Sequence, residues 1–114
     1  MVVKVQNQTK GFRLQKRTAR LVFSGDYEGA EVVVRLDVPV SVFLDIQDMV
    51  SNEEQLRVFE LFGKKVLEEW NVENDEGDSV PATADGMKDI PLEFANQIIQ
   101  QWVEVSTQPT APLD

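Results

Sequence analysis

The densest group of chemically active side chains in this sequence is an acidic turn. Residues 73–78 carry four carboxylates around Gly77. Clustered carboxylates are the oxygen ligands that Ca²⁺ prefers. The spacing does not fit an EF-hand loop, because placing Gly77 at the sixth position puts Val72 and Thr83 where the first Asp and the twelfth Glu belong. We therefore expect a solvated turn, with no metal ion and no cofactor.

Nucleophilic catalysis lacks its usual residues. The 114-residue chain has no histidine and no cysteine, which removes the commonest general base, the thiol nucleophile and the thiolate metal ligand. A serine nucleophile would need a lysine base, and neither Ser-x-x-Lys nor Gly-x-Ser-x-Gly occurs. The glycine-rich loops that bind phosphate are also missing from the sequence. We expect a protein that is not an enzyme.

Charge is divided unevenly along the chain. The net charge is −9, yet residues 1–24 contain six basic residues and no acidic one. Phe12, Phe23 and Tyr27 lie among or just after these basic residues, a composition that can serve single-stranded nucleic acid. Because the whole molecule is acidic, we expect it to be repelled by nucleic acid, and we expect the basic segment to pair with the acidic body of the chain or to be solvated.

The N-terminal third has the pattern of a β-hairpin. Residues 18–24 and 30–36 are rich in β-branched and apolar residues, and the five residues between them begin and end with glycine. Leu21 and Phe23 alternate with Arg20 and Val22, so we expect the first pair to face the core. Residues 2–6 form a shorter run that could add a third strand.

The remainder of the chain has helical periodicity. We predict helices over 41–50, over 53–70 after a Ser51–Glu54 capping box, and from Ile90-Pro91 to about residue 105. Gly63 lies inside the second helix, which indicates a close approach by another element. The short run around Trp70, Val72 and Val80 is a candidate hairpin.

The predicted fold is therefore α+β: a small N-terminal antiparallel sheet of two to three strands packed against three to four C-terminal helices. We expect one domain over residues 1–106, in which 1–17 is either a flexible basic arm or an edge strand, and a disordered tail over 107–114. No apolar run approaches the roughly 20 residues of a membrane span, and the first ten residues lack an apolar signal core. We expect a soluble intracellular protein.

One series of motifs resembles a known family. FGKKVLEEWNV at 62–72 is followed by DEGDSVPATADGM at 75–87, then by IPL at 90–92 and IIQQW at 98–102. The combination of a tryptophan, an acidic glycine-containing turn, Val-Pro-Ala-Thr, a glycine and a helix that ends in tryptophan resembles small tail-module proteins of long-tailed, siphovirus-like bacteriophages, and among them the tail assembly chaperones. The resemblance covers about residues 20–104.

The resemblance implies a binding protein. It implies a chaperone that binds the tape measure protein, helps to recruit tail tube subunits in the host cell cytoplasm, and is absent from the finished virion. Amphipathic helices on an acidic, soluble carrier are compatible with this role. Most of the aromatic stripe is expected in the core, but we take Phe59, Phe62, Ile98 and Trp102 as candidate partner-facing residues.

Two alternatives stay open at this stage. The first is a minor structural protein of the phage tail or of the head–tail junction. The second is a nucleic-acid-associated regulatory protein that uses the basic N-terminal segment. Self-association is compatible with each of these functions, and no membrane partner is expected.

Overall fold

A computed structural model of the chain describes residues 10–108. The predicted hairpin is confirmed: strand β1 (Thr18–Val22) pairs antiparallel with strand β2 (Glu31–Arg35), with Leu21 opposite Val32. A short 3₁₀ turn, Gly25–Tyr27, joins them. Because side chains alternate across a strand, Leu21 of β1 lies on the same face of the sheet as its partner Val32 and as Val34 of β2. Leu21, Val32 and Val34 are buried there, while Val22 is exposed as predicted.

The third strand of the sheet is not the one considered from the sequence. Strand β3 (Leu67–Trp70) pairs antiparallel with β2, with a bulge between Val33 and Val34, and the strand order is β1-β2-β3. The candidate strand at residues 2–6 lies outside the described residues. The predicted helix over 53–70 is therefore too long, because its last turn is extended backbone that hydrogen-bonds to β2.

Two helices separate β2 from β3. Helix α1 (Val40–Ser51) agrees with the predicted helix over 41–50, and helix α2 (Gln55–Lys65) begins after a short connection. The predicted capping box is wrong. Ser51 is the last residue of α1, and the N-cap residue of α2 is Glu54, whose side chain makes no capping hydrogen bond.

The chain between β3 and the last helix folds back on itself. The backbone N–H of Val80 donates to the carbonyl of Val72, which confirms the small predicted hairpin. The following loop contains a one-turn helix, α3 (Ala84–Met87), which the sequence pattern did not predict. The hydroxyl of Thr83 accepts a hydrogen bond from the N–H of Gly86 at its start. Helix α4 (Leu92–Thr107) begins directly after Pro91.

Sheet and helices share one apolar core. The largest fully buried side chain is Trp102 of α4, whose indole N–H donates to the carbonyl oxygen of Arg35 at 3.1 Å. Its ring lies 5.5 Å from that of Phe62 and 5.3 Å from that of Phe43, measured between centroids. Within residues 10–108, three antiparallel strands and four helices, two between β2 and β3 and two after β3, confirm the predicted α+β class.

The predicted termini are described only in part. Residues 10–17 have no regular secondary structure and are exposed, although the carbonyl of Arg17 accepts a hydrogen bond from the N–H of Leu36. At the other end, α4 continues through Thr107, one residue into the predicted tail. Residues 1–9 and 109–114 lie outside the described part.

We expect Gly63→Ala to destabilise the protein by about 1–3 kcal/mol, because overpacking a filled site carries a cost of that order. A Cβ at Gly63 would lie 2.5 Å from the Cα of Ala84, so the backbone of α3 would have to move. This contact confirms the close approach predicted at Gly63. Urea unfolding monitored by tryptophan fluorescence measures the change. Gly11→Ala is the control, since its Cβ would meet no atom within 4 Å. Unchanged stability of Gly63→Ala would contradict the described packing of α2 on α3.

Candidate partner-binding groove

The four residues predicted to face a partner lie in the core. Phe62, Ile98 and Trp102 have no exposed surface, and Phe59 retains 9%. The stripes that carry them face the sheet and each other, because these side chains fill the space between α2, α4 and the strands. Their burial argues against a direct role in partner contact, apart from the edge of the Phe59 ring that lines the groove described below.

Helix α1 carries three of the eight large apolar side chains that are exposed within residues 10–108. Only Ile46 is fully buried in this helix, although seven of its twelve residues are apolar. At 100° per residue, these apolar positions cover an arc of roughly 200°, about twice what a core-facing stripe needs. Val40, Leu44 and Val50 are 72%, 55% and 52% exposed. The excess arc therefore faces solvent rather than the core.

An apolar groove lies beside this exposed arc, where α1, α2 and α4 meet. It encloses about 650 Å³. Its floor and walls are apolar and come from all three helices: Ile46, Val50, Val58, Phe59, Ile99 and Val103. Its rim is polar, formed by Gln47, Ser51, Glu53, Gln55, Asn96, Gln100 and Glu104.

The groove is continuous with the exposed residues at the start of α1. Gln47 and Ser51 on its rim lie at helical spacing from Val40 and Leu44, so all four side chains share one face of the helix. A helix of twelve residues is about 18 Å long. Together, the groove and this apolar extension offer a surface about three helical turns long.

Two long helices border the groove. Phe43 of α1 contacts Trp102 of α4, and further along α1 Ile46 lines the groove together with Ile99 of α4. The groove therefore opens between these two helices, and α2 forms its third wall.

The groove is electronegative. Among residues 10–108, the only charged residues that line it are Glu53 and Glu104, and no lysine or arginine does. Neither carboxylate has a cationic partner within 4 Å in that range. Glu104 lies in the last turn of α4, where the helix dipole adds partial negative charge, whereas Glu53 lies between the C-terminus of α1 and the N-terminus of α2, whose dipoles oppose each other. The groove therefore favours a ligand with both apolar and positively charged groups.

Glu53 occupies a backbone position that favours glycine. The N–H of Glu53 donates to the carbonyl of Val50 at 3.1 Å, and the N–H of Glu54 donates to that of Met49 at 2.9 Å. This pair of bonds is a Schellman motif, in which the residue after the C-cap adopts a left-handed conformation. Glu53 has φ of 60°, the only positive φ of a non-glycine residue within residues 10–108. The groove rim thus contains a glutamate whose backbone conformation is strained.

Two of the five basic residues within residues 10–24 pair with acidic residues of the body of the chain, and the others form no ion pair within the described residues. Lys16 pairs with Glu68, and Arg20 pairs with Glu31 at 2.6 Å. Of the three aromatic residues considered for base stacking, Phe23 is buried and Tyr27 stacks on Phe94 with ring centroids 4.6 Å apart. Phe12 is 87% exposed. The segment does not present the row of open aromatic rings typical of a single-strand platform.

The other titratable groups serve the fold. A hydrogen bond from Arg35 lowers the pKa of the Asp37 carboxyl, and partial burial raises the pKa of Tyr27, with a further contribution from Glu93. None of these groups lines the groove. Over residues 10–108, no three acidic side chains are close enough together to hold a metal ion. Nor does any helix in that range have the length and apolar character that a membrane crossing requires.

We expect Glu53→Gly to raise the free energy of unfolding by roughly 0.5–1 kcal/mol, because relief of left-handed strain exceeds the entropic cost of glycine. Glu53→Ala is the matched control, since it removes the carboxylate and retains the strain. Urea unfolding measures both variants. Equal stability of the glycine and alanine variants would show that the backbone at residue 53 is not strained.

We expect Ile98→Ala to lower the free energy of unfolding by about 2–5 kcal/mol, because it leaves a cavity in the core. Any loss of partner binding in this variant would then follow from unfolding. Asn96→Ala, at an exposed position of the same helix, is the control and should unfold like the unaltered protein. A stable Ile98→Ala variant that loses binding would restore Ile98 as a partner-facing residue.

Comparisons with known proteins give no further assignment. No protein-family model matches the chain, and neither a curated protein nor a solved structure is significantly similar to it. Functional inference therefore depends on the groove geometry and on the motif resemblance.

Proposed function

We propose that the chain is a phage tail assembly chaperone that binds an apolar helical segment of the tape measure protein in the α1–α2–α4 groove and helps to recruit tail tube subunits. The observation that carries the proposal is the exposed apolar arc of α1 beside the groove. Solvent-exposed apolar residues that adjoin a concave apolar surface are typical of a protein interaction site.

The shape of the groove favours a helix as its ligand. A concave apolar surface between helices can receive a further helix, in the way that amphipathic helices dock in hydrophobic grooves. The surface is about 18 Å long, which accommodates about twelve residues of helix. Such a ligand would present apolar residues to the floor at Ile46, Phe59 and Ile99.

The net charge of the chain suits a carrier of apolar segments. A tape measure protein is long, helical and locally apolar, so its unassembled form requires protection from aggregation. A carrier with a net charge of −9 repels other copies of itself and stays soluble while its groove is occupied. This combination also agrees with a role confined to assembly in the host cell cytoplasm.

The motifs behind the family resemblance have structural roles in this fold. The indole N–H of Trp70 donates to the carbonyl of Val80 at 2.6 Å, and Thr83 caps the short helix α3. A Cβ at Gly86 would overlap the carbonyl oxygen of Pro81, so the backbone needs glycine there. These residues lock β3, the acidic turn and α3 together. Packing and hydrogen bonding within this fold therefore account for these motif residues.

We expect Leu44→Gln to abolish capture of the tape measure protein without loss of stability, because Leu44 is 55% exposed beside the groove. The tagged full-length protein is expressed with the complete tail gene module, and mass spectrometry identifies the chains that co-purify. Leu92→Gln is the matched control: this helical leucine is 54% exposed and lies outside the groove.

Four results would contradict the proposal. Capture of tube or capsid subunits without the tape measure protein would favour the structural alternative, as would detection of the protein in purified virions. Recovery of no partner by a folded bait would remove the chaperone role. Equal loss of capture in the Leu44 and Leu92 variants would show that binding does not use the groove.

A further inference from the structure

We propose that the groove selects a cationic amphipathic helix, one whose apolar stripe is flanked by lysine or arginine. The inference concerns the chemistry of the ligand and rests on the proposed function only for the identity of the natural client. It is carried by the charges of the groove rim and by the conformation of Glu53.

The two rim carboxylates belong to different walls of the groove. Glu53 follows the C-terminus of α1, Glu104 lies in the last turn of α4, and both line the groove. A helix docked between these walls therefore passes both carboxylates. Eleven residues are close to three full helical turns, so two cations with this spacing lie on the same side of a ligand helix.

The rim charges are available for an external partner. Several other acidic residues within residues 10–108 are paired: Glu31, Glu54, Glu60 and Glu68 each form an ion pair with a lysine or arginine of the chain. Glu53 and Glu104 form none there, and the floor between them is apolar. Carboxylates beside a poorly hydrated surface attract a cation more strongly than carboxylates in open water do.

The strain at Glu53 strengthens the inference. Glycine is the favoured residue at this point of a Schellman motif, and glutamate there has a conformational cost. A side chain in a strained backbone conformation is a reason to look for a function. The carboxylate of Glu53 makes no hydrogen bond or ion pair within the described part of the chain, so no such contact there offsets the cost of its backbone conformation. A contribution to ligand binding accounts for its presence.

Designed helical peptides test this inference. Three 14-residue peptides share a leucine stripe at spacings of three and four and differ only at positions 2 and 13, where they carry lysine, glutamine or glutamate. Fluorescence anisotropy measures their binding to the full-length protein in low salt and at physiological salt. An exposed ion pair increases affinity by a factor of about 2–5, so we expect the lysine peptide to bind roughly tenfold more tightly than the glutamine peptide and the glutamate peptide to bind most weakly. The preference should shrink as salt is added.

Variants locate the effect at the rim. In Glu53→Gln/Glu104→Gln, the lysine and glutamine peptides should bind equally well. Glu76→Gln removes the same charge from the exposed acidic turn outside the groove, and the preference for lysine should persist. Glu53→Gly should weaken binding of the lysine peptide about 2–5-fold and should also raise the melting temperature of the protein. A general loss of structure would lower both the affinity and the melting temperature, so it cannot produce this combination.

Equal affinity for the lysine and glutamine peptides would overturn the inference, as would a lysine preference that survives the double substitution, or the failure of all three peptides to bind. These outcomes are separate from those of the proposed function. If the lysine preference holds and no tape measure protein is captured, the groove has a basic helical ligand of another origin. If the tape measure protein is captured and no peptide preference is found, the chaperone role stands without this specificity.

Discussion

The burial of Trp102 connects the sheet to three helices, and the rest of the fold depends on it. An indole can be buried this completely only when its N–H has an acceptor, which the carbonyl of Arg35 at the end of β2 provides. This bond fixes α4 against the sheet. The Trp102 ring then contacts Phe62 of α2 and Phe43 of α1, so one side chain sets the positions of all three long helices.

The groove and the exposed apolar surface beside it exist because only one side of α1 packs against the core. Ile46 is fully buried and Phe43 packs on the Trp102 ring, so this helix is held on one side. Its apolar arc is wider than the surface that Trp102 and its neighbours can cover. Asp45 and Asp48 lie on the opposite, polar side of the helix, so the uncovered apolar residues have no alternative core to enter. The exposed surface therefore arises because α1 has more apolar residues than its buried side can hold, while its contacts with the core fix its orientation.

The sequence pattern was sufficient to predict the hairpin, α1 and α4, because each has one clear hydrophobic period and no second type of secondary structure fits it equally well. It was insufficient for residues 67–70. The helical spacing of Phe59, Phe62 and Val66 continues to Trp70, and only the unsatisfied edge of β2 decides that this segment is a strand. It also selected buried residues as partner-facing candidates, because an aromatic stripe has the same spacing in a core as at an interface. The wide arc of α1 was readable in the sequence. The left-handed conformation of Glu53 was not, since it arises from the connection between two packed helices.

An exposed apolar groove creates a hazard, because another copy of the chain is the most available partner. The charge distribution opposes that outcome. The groove rim and the body of the chain are both acidic, so two bodies repel each other at close range. The described basic segment is a potential ligand for the groove of a second copy, but Lys16 and Arg20 are already paired with Glu68 and Glu31 of their own chain. Breaking those ion pairs would cancel part of the stabilisation that new ion pairs at the groove rim could contribute. A separate basic helix has no such ion pairs to break. The acidic charges that oppose self-association therefore favour a cationic helix as the ligand of the groove.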